Sequence, residues 1–322
     1  NLSTPVLTTT ANGYHLELLG TTTNVSDVNT ATTFLNTGNL VLGNGAGDTL
    51  TFAGGLTATA PAAISAAGTL NTTNTAMSLG DSDTALTLTA NTTLNTGSGD
   101  ITLGGTVNDA TSGTHSLTLN STGVTTLQAA VGNTAALSSV TTNAGGTLVM
   151  NGGSVTTTGA QTYGEATTLG SNTTLDAGAG NITFSATVND ATSGTHSLTL
   201  NSTGVTTLQA AVGNTAALSS MTTNAGGTLV MNGGSVTTTG AQSYGEAITL
   251  GANTTLTAGA GDITLGSTVN GAHSLSLNST GVTTFEGAIG RASANPISGG
   301  TALTSLSTNA GGTLVMNGGA VT

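Results

Sequence analysis

The 322-residue sequence has no cysteine and no tryptophan, only three prolines, four phenylalanines and three tyrosines, and a single basic side chain, Arg291. Each scarcity excludes something. Without cysteine there is no disulfide framework, although a long, regularly hydrogen-bonded chain needs none, so the redox compartment stays open. One basic residue against 13 acidic ones, a net charge of -12, leaves nothing to replace the counterions on a phosphate backbone, which argues against nucleic acid and anionic membrane surfaces as partners. No apolar run approaches the roughly 18 residues of a membrane-spanning helix, so membrane insertion is not expected. No basic, apolar leader opens the chain, which begins on Asn1 rather than Met; the expectation is a processed or excised piece. Scarce proline keeps backbone amides free for strand ladders, and 49 glycines supply frequent turns. Only 4% of residues are charged, which on its own resembles a disordered chain. Leu, Val and Ile alternate with Thr throughout, however, and that pattern belongs to a folded one.

What the chain does have is self-similarity. Residues 106–139 recur letter for letter at 187–220, and Val107, Val188 and Val269 mark three registers of one 81-residue unit. Asn91, Asn172 and Asn253 each open the same Asn-Thr-Thr-Leu phrase. Residues 1–44 read as a divergent opening segment containing Tyr14-His15-Leu16-Glu17. Residues 45–322 read as the repeat array, in strict register from about Ala85. Asn143 to Asn224 spans 81 residues but Asn224 to Asn309 spans 85, and the extra residues are expected to bulge as a loop near 291–300.

The local period is that of strands. In Ile182-Thr183-Phe184-Ser185-Ala186-Thr187-Val188 apolar residues occupy every second position with hydroxyls between them. Where copies differ on the inward side they exchange one apolar residue for another, as at Leu103, Phe184 and Leu265, or Val140 and Met221. The exception is Thr167 against Ile248, expected on a corner or outer face. Short strands broken by Asn-Gly-Gly, Ala-Gly-Gly and Gly-Ala-Gly leave a β-solenoid or a string of β-sandwiches. Few aromatics and small aliphatic linings favour the narrow core of a solenoid. The fold expected is all-β, a right-handed parallel β-helix, with about 20 to 27 residues per coil and three or four coils per unit.

Candidate chemistry is thin. His115 and His196 follow Asp109 and Asp190 by six residues, a spacing open to a base and its orienting carboxylate, but the third copy keeps His273 and puts Gly271 where the acid should be. The plainer reading is a polar surface turn. Glu165 and Glu246, after Tyr163 and Tyr244, are the other repeated acids; glycoside hydrolysis needs paired carboxyls within about 10 Å, and one unit's advance is expected to exceed that. Gly43-Asn44-Gly45-Ala46-Gly47-Asp48-Thr49-Leu50 partly resembles the calcium-binding nonapeptide of β-rolls. Yet Asp100, Asn181 and Asp262 return only once per unit, so a turn role is expected. No catalytic, metal or cofactor site is assigned, and no enzyme is expected. Sequons at Asn120, Asn172, Asn201 and Asn253 are those a Thr-rich and Asn-rich chain contains by chance. Threonines do not seem to return once per coil on one face, so an ice-binding ladder is not expected.

The phrases Gly-Ala-Gln-Thr-Tyr-Gly-Glu-Ala at 159–166 and Gly-Ala-Gln-Ser-Tyr-Gly-Glu-Ala at 240–247, each followed by Thr-Leu-Gly-x-Asn-Thr-Thr-Leu, resemble repeats of large bacterial exoproteins. The similarity is to filamentous-haemagglutinin-like adhesins exported by two-partner secretion and to autotransporter passengers, and it covers roughly residues 35–322. It implies a right-handed parallel β-helix shaft outside the cell, used in attachment, aggregation or matrix building.

Two functions follow as expectations. The first is a structural subunit or shaft segment of an extracellular fibre. Its partners would be copies of itself stacked head to tail through exposed solenoid edges, or through a strand lent by Thr4-Pro5-Val6-Leu7-Thr8. The second is an adhesin module that binds glycans or host and abiotic surfaces in cell adhesion and biofilm formation.

Overall fold

The computed structural model describes residues 1–290, 301–318 and 321. The chain divides into two compact units, Asn1–Ala166 and Thr167–Thr322. Both are parallel β-solenoids, about twelve turns in all, and the described residues contain no helix. The loop expected at 291–300 lies outside the described residues.

In the first unit every pairing is parallel and each coil contributes to three ladders. One runs through Leu40, Ile64, Leu86 and Val107. A second runs through Thr23, Leu50, Leu70, Leu94, Leu119, Thr142 and Tyr163. The third runs through Leu56, Met77, Ile101, Thr125 and Leu148. From one rung to the next the chain uses between 20 residues, Leu50 to Leu70, and 27, Thr23 to Leu50, the coil length read from the sequence. The opening segment is already part of this stack, with Leu2 paired to Thr23 and Leu16 to Leu40.

The second unit repeats the plan. Leu175, Leu200, Thr223, Tyr244, Leu265, Phe285 and Met316 form one ladder, and Phe184, Leu208, Met231 and Leu250 another. Val188, Val212, Val236, Leu256 and Leu277 form the third. The coil holding the longer third copy takes 31 residues, Leu277 to Thr308, against 21 for the coil before it, Leu256 to Leu277.

Alternation decides what is inside. Leu94, Ile101, Leu119 and Val107 are fully buried in the first unit, as are Leu200, Val212 and Leu265 in the second. Where the first unit does admit aromatic rings they touch, Phe34 and Phe52 meeting edge to face at 5.8 Å.

Thr167 and Ile248 correct the sequence reading, because both are buried, at 1% and 2% exposure. Thr167 stands on the ladder of Val188, Val212 and Val236, whereas Ile248 stands on that of Ile182, Thr206 and Leu229. The 81-residue period is therefore not a whole number of coils. Equivalent residues arrive on different faces and meet different neighbours, so a polar and an apolar side chain can occupy one sequence position and both point inward.

The outward threonines bring a second correction. In the first unit Thr22, Thr49, Thr69, Thr93, Thr118, Thr141 and Thr162 pair one to the next on successive rungs, a row that returns once per coil on a single face. Threonines from the divergent opening and from the strict repeat fall into the same row, which the repeat register alone conceals.

Burial of this kind carries a measurable cost when undone. Leu94→Ala is expected to lower unfolding free energy by about 2–5 kcal/mol, since it leaves a cavity beneath two ladder neighbours. Thr102→Ala, on an outward strand position, is expected to change it by less than about 0.5 kcal/mol. Denaturant unfolding of both variants checks the assignment of faces.

Candidate functional site

Three sets of polar side chains stand out. The first closes the turn after the strand Val107–Asp109. The Asp109 carboxylate accepts the backbone N–H groups of Thr111 at 3.1 Å, Thr114 at 2.8 Å and His115 at 2.8 Å. It also meets Nδ1 of His115 at 2.5 Å. In the second unit Asp190 repeats this with Thr192, Thr195 and His196, the ring contact being 2.6 Å. Both aspartate side chains are wholly buried and both imidazoles partly exposed. Burial opposes their ionisation, but the backbone and ring donors outweigh it and hold each carboxyl below its ordinary value. The structure thus brings each His together with its Asp, and the acid is interior rather than part of an exposed turn. Four donors converge on one carboxylate, and the arrangement latches a loop. In the third copy Gly271, at φ 133°, takes the place of the acid, and His273 donates its N–H to the Gly271 carbonyl at 2.8 Å.

The second set is Gln-x-Tyr-Gly-Glu. In the second unit the buried Tyr244 hydroxyl donates to Oε1 of Gln242 at 2.9 Å, and Nε2 of Gln242 donates to the carbonyls of Val236 and Thr257. Burial pushes the phenol up. Glu246, two residues on, continues the inward alternation and is 1% exposed. Neither of its carboxylate oxygens has a hydrogen-bond partner among the described residues, and the same holds for the hydroxyls of Thr206 and Thr223. Burial raises its carboxyl from 4.5 to about 7. In the first unit Glu165 is likewise buried and raised to about 7 by burial, against the hydroxyl of Thr125, which donates to Oε1 at 3.4 Å. A Cβ on Gly146 would lie 3.1 Å from that oxygen and 2.5 Å from the Gly123 carbonyl, so the corner needs glycine. Composition and spacing do not reveal that these two acids are interior. The run Gln161, Tyr163, Glu165, Thr167, Leu169, inward at every second residue, is the signal that does. The two glutamates belong to different units.

The third set bridges successive coils. Oδ1 of Asp100 accepts Val124 N–H at 2.8 Å, and Asn181 and Asp262 do the same for Val205 and Val282. Because Asn and Asp share this acceptor, the position tolerates the exchange. The sequon residues Asn172 and Asn253 accept the N–H of Ser197 and Ser274 in the same manner. In the stretch that resembles a calcium motif, Asp48 accepts the amides of Asn44 and Gly45 at 2.8 and 3.0 Å. Its carboxylate closes its own turn. Among the described residues no three His, Cys, Asp or Glu side chains gather to hold a metal ion. A shallow depression in the first unit is bordered by Asp81, Ser82, Gly104, Gln128 and Ala129, and Oδ1 of Asp81 already accepts Asp83 N–H at 3.1 Å. No helix among the described residues is long and apolar enough to cross a membrane.

No protein-family model matches this chain, and no curated protein or solved structure is detectably similar to it. The class rests on the fold alone, a parallel β-solenoid with polar side chains turned to holding its own backbone.

Two pH effects of opposite sign follow. The glutamates bind a proton more tightly folded than unfolded. Their stabilising contribution is present below about pH 4.5 and is lost as pH rises to about 7, on the order of a few kcal/mol for each. Thermal unfolding is expected at lower temperature at pH 8 than at pH 5, and Glu246→Gln should raise stability at pH 8 and flatten the dependence. The aspartates run the other way: their contribution is present above the unfolded value near 3.8 and is lost as pH falls below it. Asp109→Ala should cost roughly 1.5–3 kcal/mol at neutral pH by denaturant unfolding, because it strands buried donors.

Proposed function

We propose that this chain is a structural segment of an extracellular bacterial fibre or shaft, lengthened by stacking coil on coil with copies of itself. The observation that carries the reading is the uninterrupted parallel register of each unit, in which a coil is completed only by a neighbouring coil. A stack of that kind joins a top edge to a bottom edge, a contact that does not close on itself and so extends. Leu314 and Met316, on a strand of the third copy, are 44% and 62% exposed and offer apolar area to such a contact. The chemistry-bearing groups support a mechanical role. Asp109, Asp190 and their histidines latch turns, while Asp100, Asn181 and Asp262 bridge coils. The net charge of -12 suits an exposed, soluble surface and a partner other than nucleic acid.

A second reading, an adhesin module that contacts glycans or host and abiotic surfaces, draws its support from the outward rows of Thr and Asn.

Negative-stain electron microscopy across a concentration series tests the first. Fibres of constant width that lengthen with concentration are expected. Short particles that never join at any concentration would reject self-assembly and leave a passive segment of a larger adhesin.

A further inference from the structure

One face of the first unit is unlike the rest of the surface. Its row of seven threonines is continuous from Thr22 to Thr162. Two residues further along the same strands, Asn24, Thr51, Asn71, Asn95 and Asn120 form a second row, and Nδ2 of Asn95 donates to Oδ1 of Asn71 at 3.3 Å. No charged side chain stands on either row, in a protein whose net charge is -12. Strand spacing places the groups of a row about 4.8 Å apart, and the two rows stand about 6.7 Å apart.

We propose that this face binds ice. The spacing along the threonine row is close to the repeat of oxygen rows on the faces of hexagonal ice, and each threonine offers that lattice one hydroxyl and one methyl. The hydroxyl replaces a lattice hydrogen bond; the methyl leaves the adjoining water to bond with its own neighbours. Threonine is β-branched and stiff about χ1, and every strand in the middle of the row is held on both sides, so little motion remains to be lost on adsorption. An uncharged face also suits an uncharged lattice, whereas a carboxylate would carry a hydration shell that ice cannot accommodate.

The size of the face tells against a second copy of the chain as occupant. Six steps along the ladder give a height of about 29 Å, and two rows give a width of about 10 Å. The resulting area of roughly 300 Å² is well below the about 800 Å² per partner of a stable protein interface. The proposal stands apart from the fibre reading, since a single unassembled chain carries the whole face.

Partition into slowly growing ice tests it. The intact chain is expected to enrich in the ice fraction over serum albumin frozen with it, and to inhibit recrystallisation. Thr118→Lys, in the middle of the row, should reduce enrichment by about tenfold or more, with circular dichroism and unfolding temperature unchanged. Thr118→Val, which keeps the branched shape and removes the hydroxyl, gives a second variant that tests the hydroxyl itself, and it should lose part of the enrichment. Ser65→Lys, on the row of Val41, Ser65 and Thr87, should behave as the parent. Three results would overturn the proposal. These are no enrichment of the parent over albumin, equal loss in Ser65→Lys and Thr118→Lys, or uptake by cellulose or chitin particles without uptake by ice.

Discussion

The constraint on which everything else depends is the in-register parallel ladder. Each coil must place its amides opposite the carbonyls of the coils on either side, and at the same time send every second side chain into a core narrow enough to be filled by Leu, Val and Ile. Once both conditions hold, the outward positions are free, and they repeat in register whether or not the underlying sequence does. Loops can then lengthen without disturbing the stack, as the 31-residue coil shows.

A core of this kind has little dielectric relief to offer, and the chain deals with interior acids in two ways. Asp109 and Asp190 remain ionised because backbone amides and a histidine ring surround them. Glu165 and Glu246 lack such a cluster of donors, and burial shifts them towards the neutral acid. The contrast is one of local backbone: the aspartates sit in a turn whose N–H groups point at them, whereas the glutamates lie on an alternating stretch whose N–H groups are directed along the ladders. The same element, a carboxyl turned inward, therefore stiffens the structure in one place and makes it sensitive to proton concentration in another.

Much of the fold was legible. The period-two pattern around Ile182 and Phe184, the small aliphatic lining and the glycine-broken spacing lead directly to a parallel solenoid with coils of the observed length. Polar placement was harder to read. Thr167 appeared to be an outward residue because sequence copies were compared with one another, while physical neighbours are set by coils, and the two periods differ. For the same reason the threonine row was hidden: Thr22, Thr49 and Thr69 precede the strict repeat, and only pairing joins them to Thr93 and Thr118. The His–Asp spacing was visible, but whether the carboxylate faced solvent depended on backbone donors from Thr111 and Thr114 that no spacing rule reports.

The mismatch between copy and coil also bears on how such a molecule can grow. Val188 and Val269 are the same letter of the repeat, yet one lies in a ladder with Val212 and the other in a ladder with Ile248. Since all three faces impose the same inward alternation, a strand is acceptable on any of them. A gene duplication that adds a whole number of strands, rather than a whole number of turns, leaves every apolar residue still pointing inward. The inheritable building block is then the single strand with its corner, and tandem duplication can extend the molecule without first solving for its pitch.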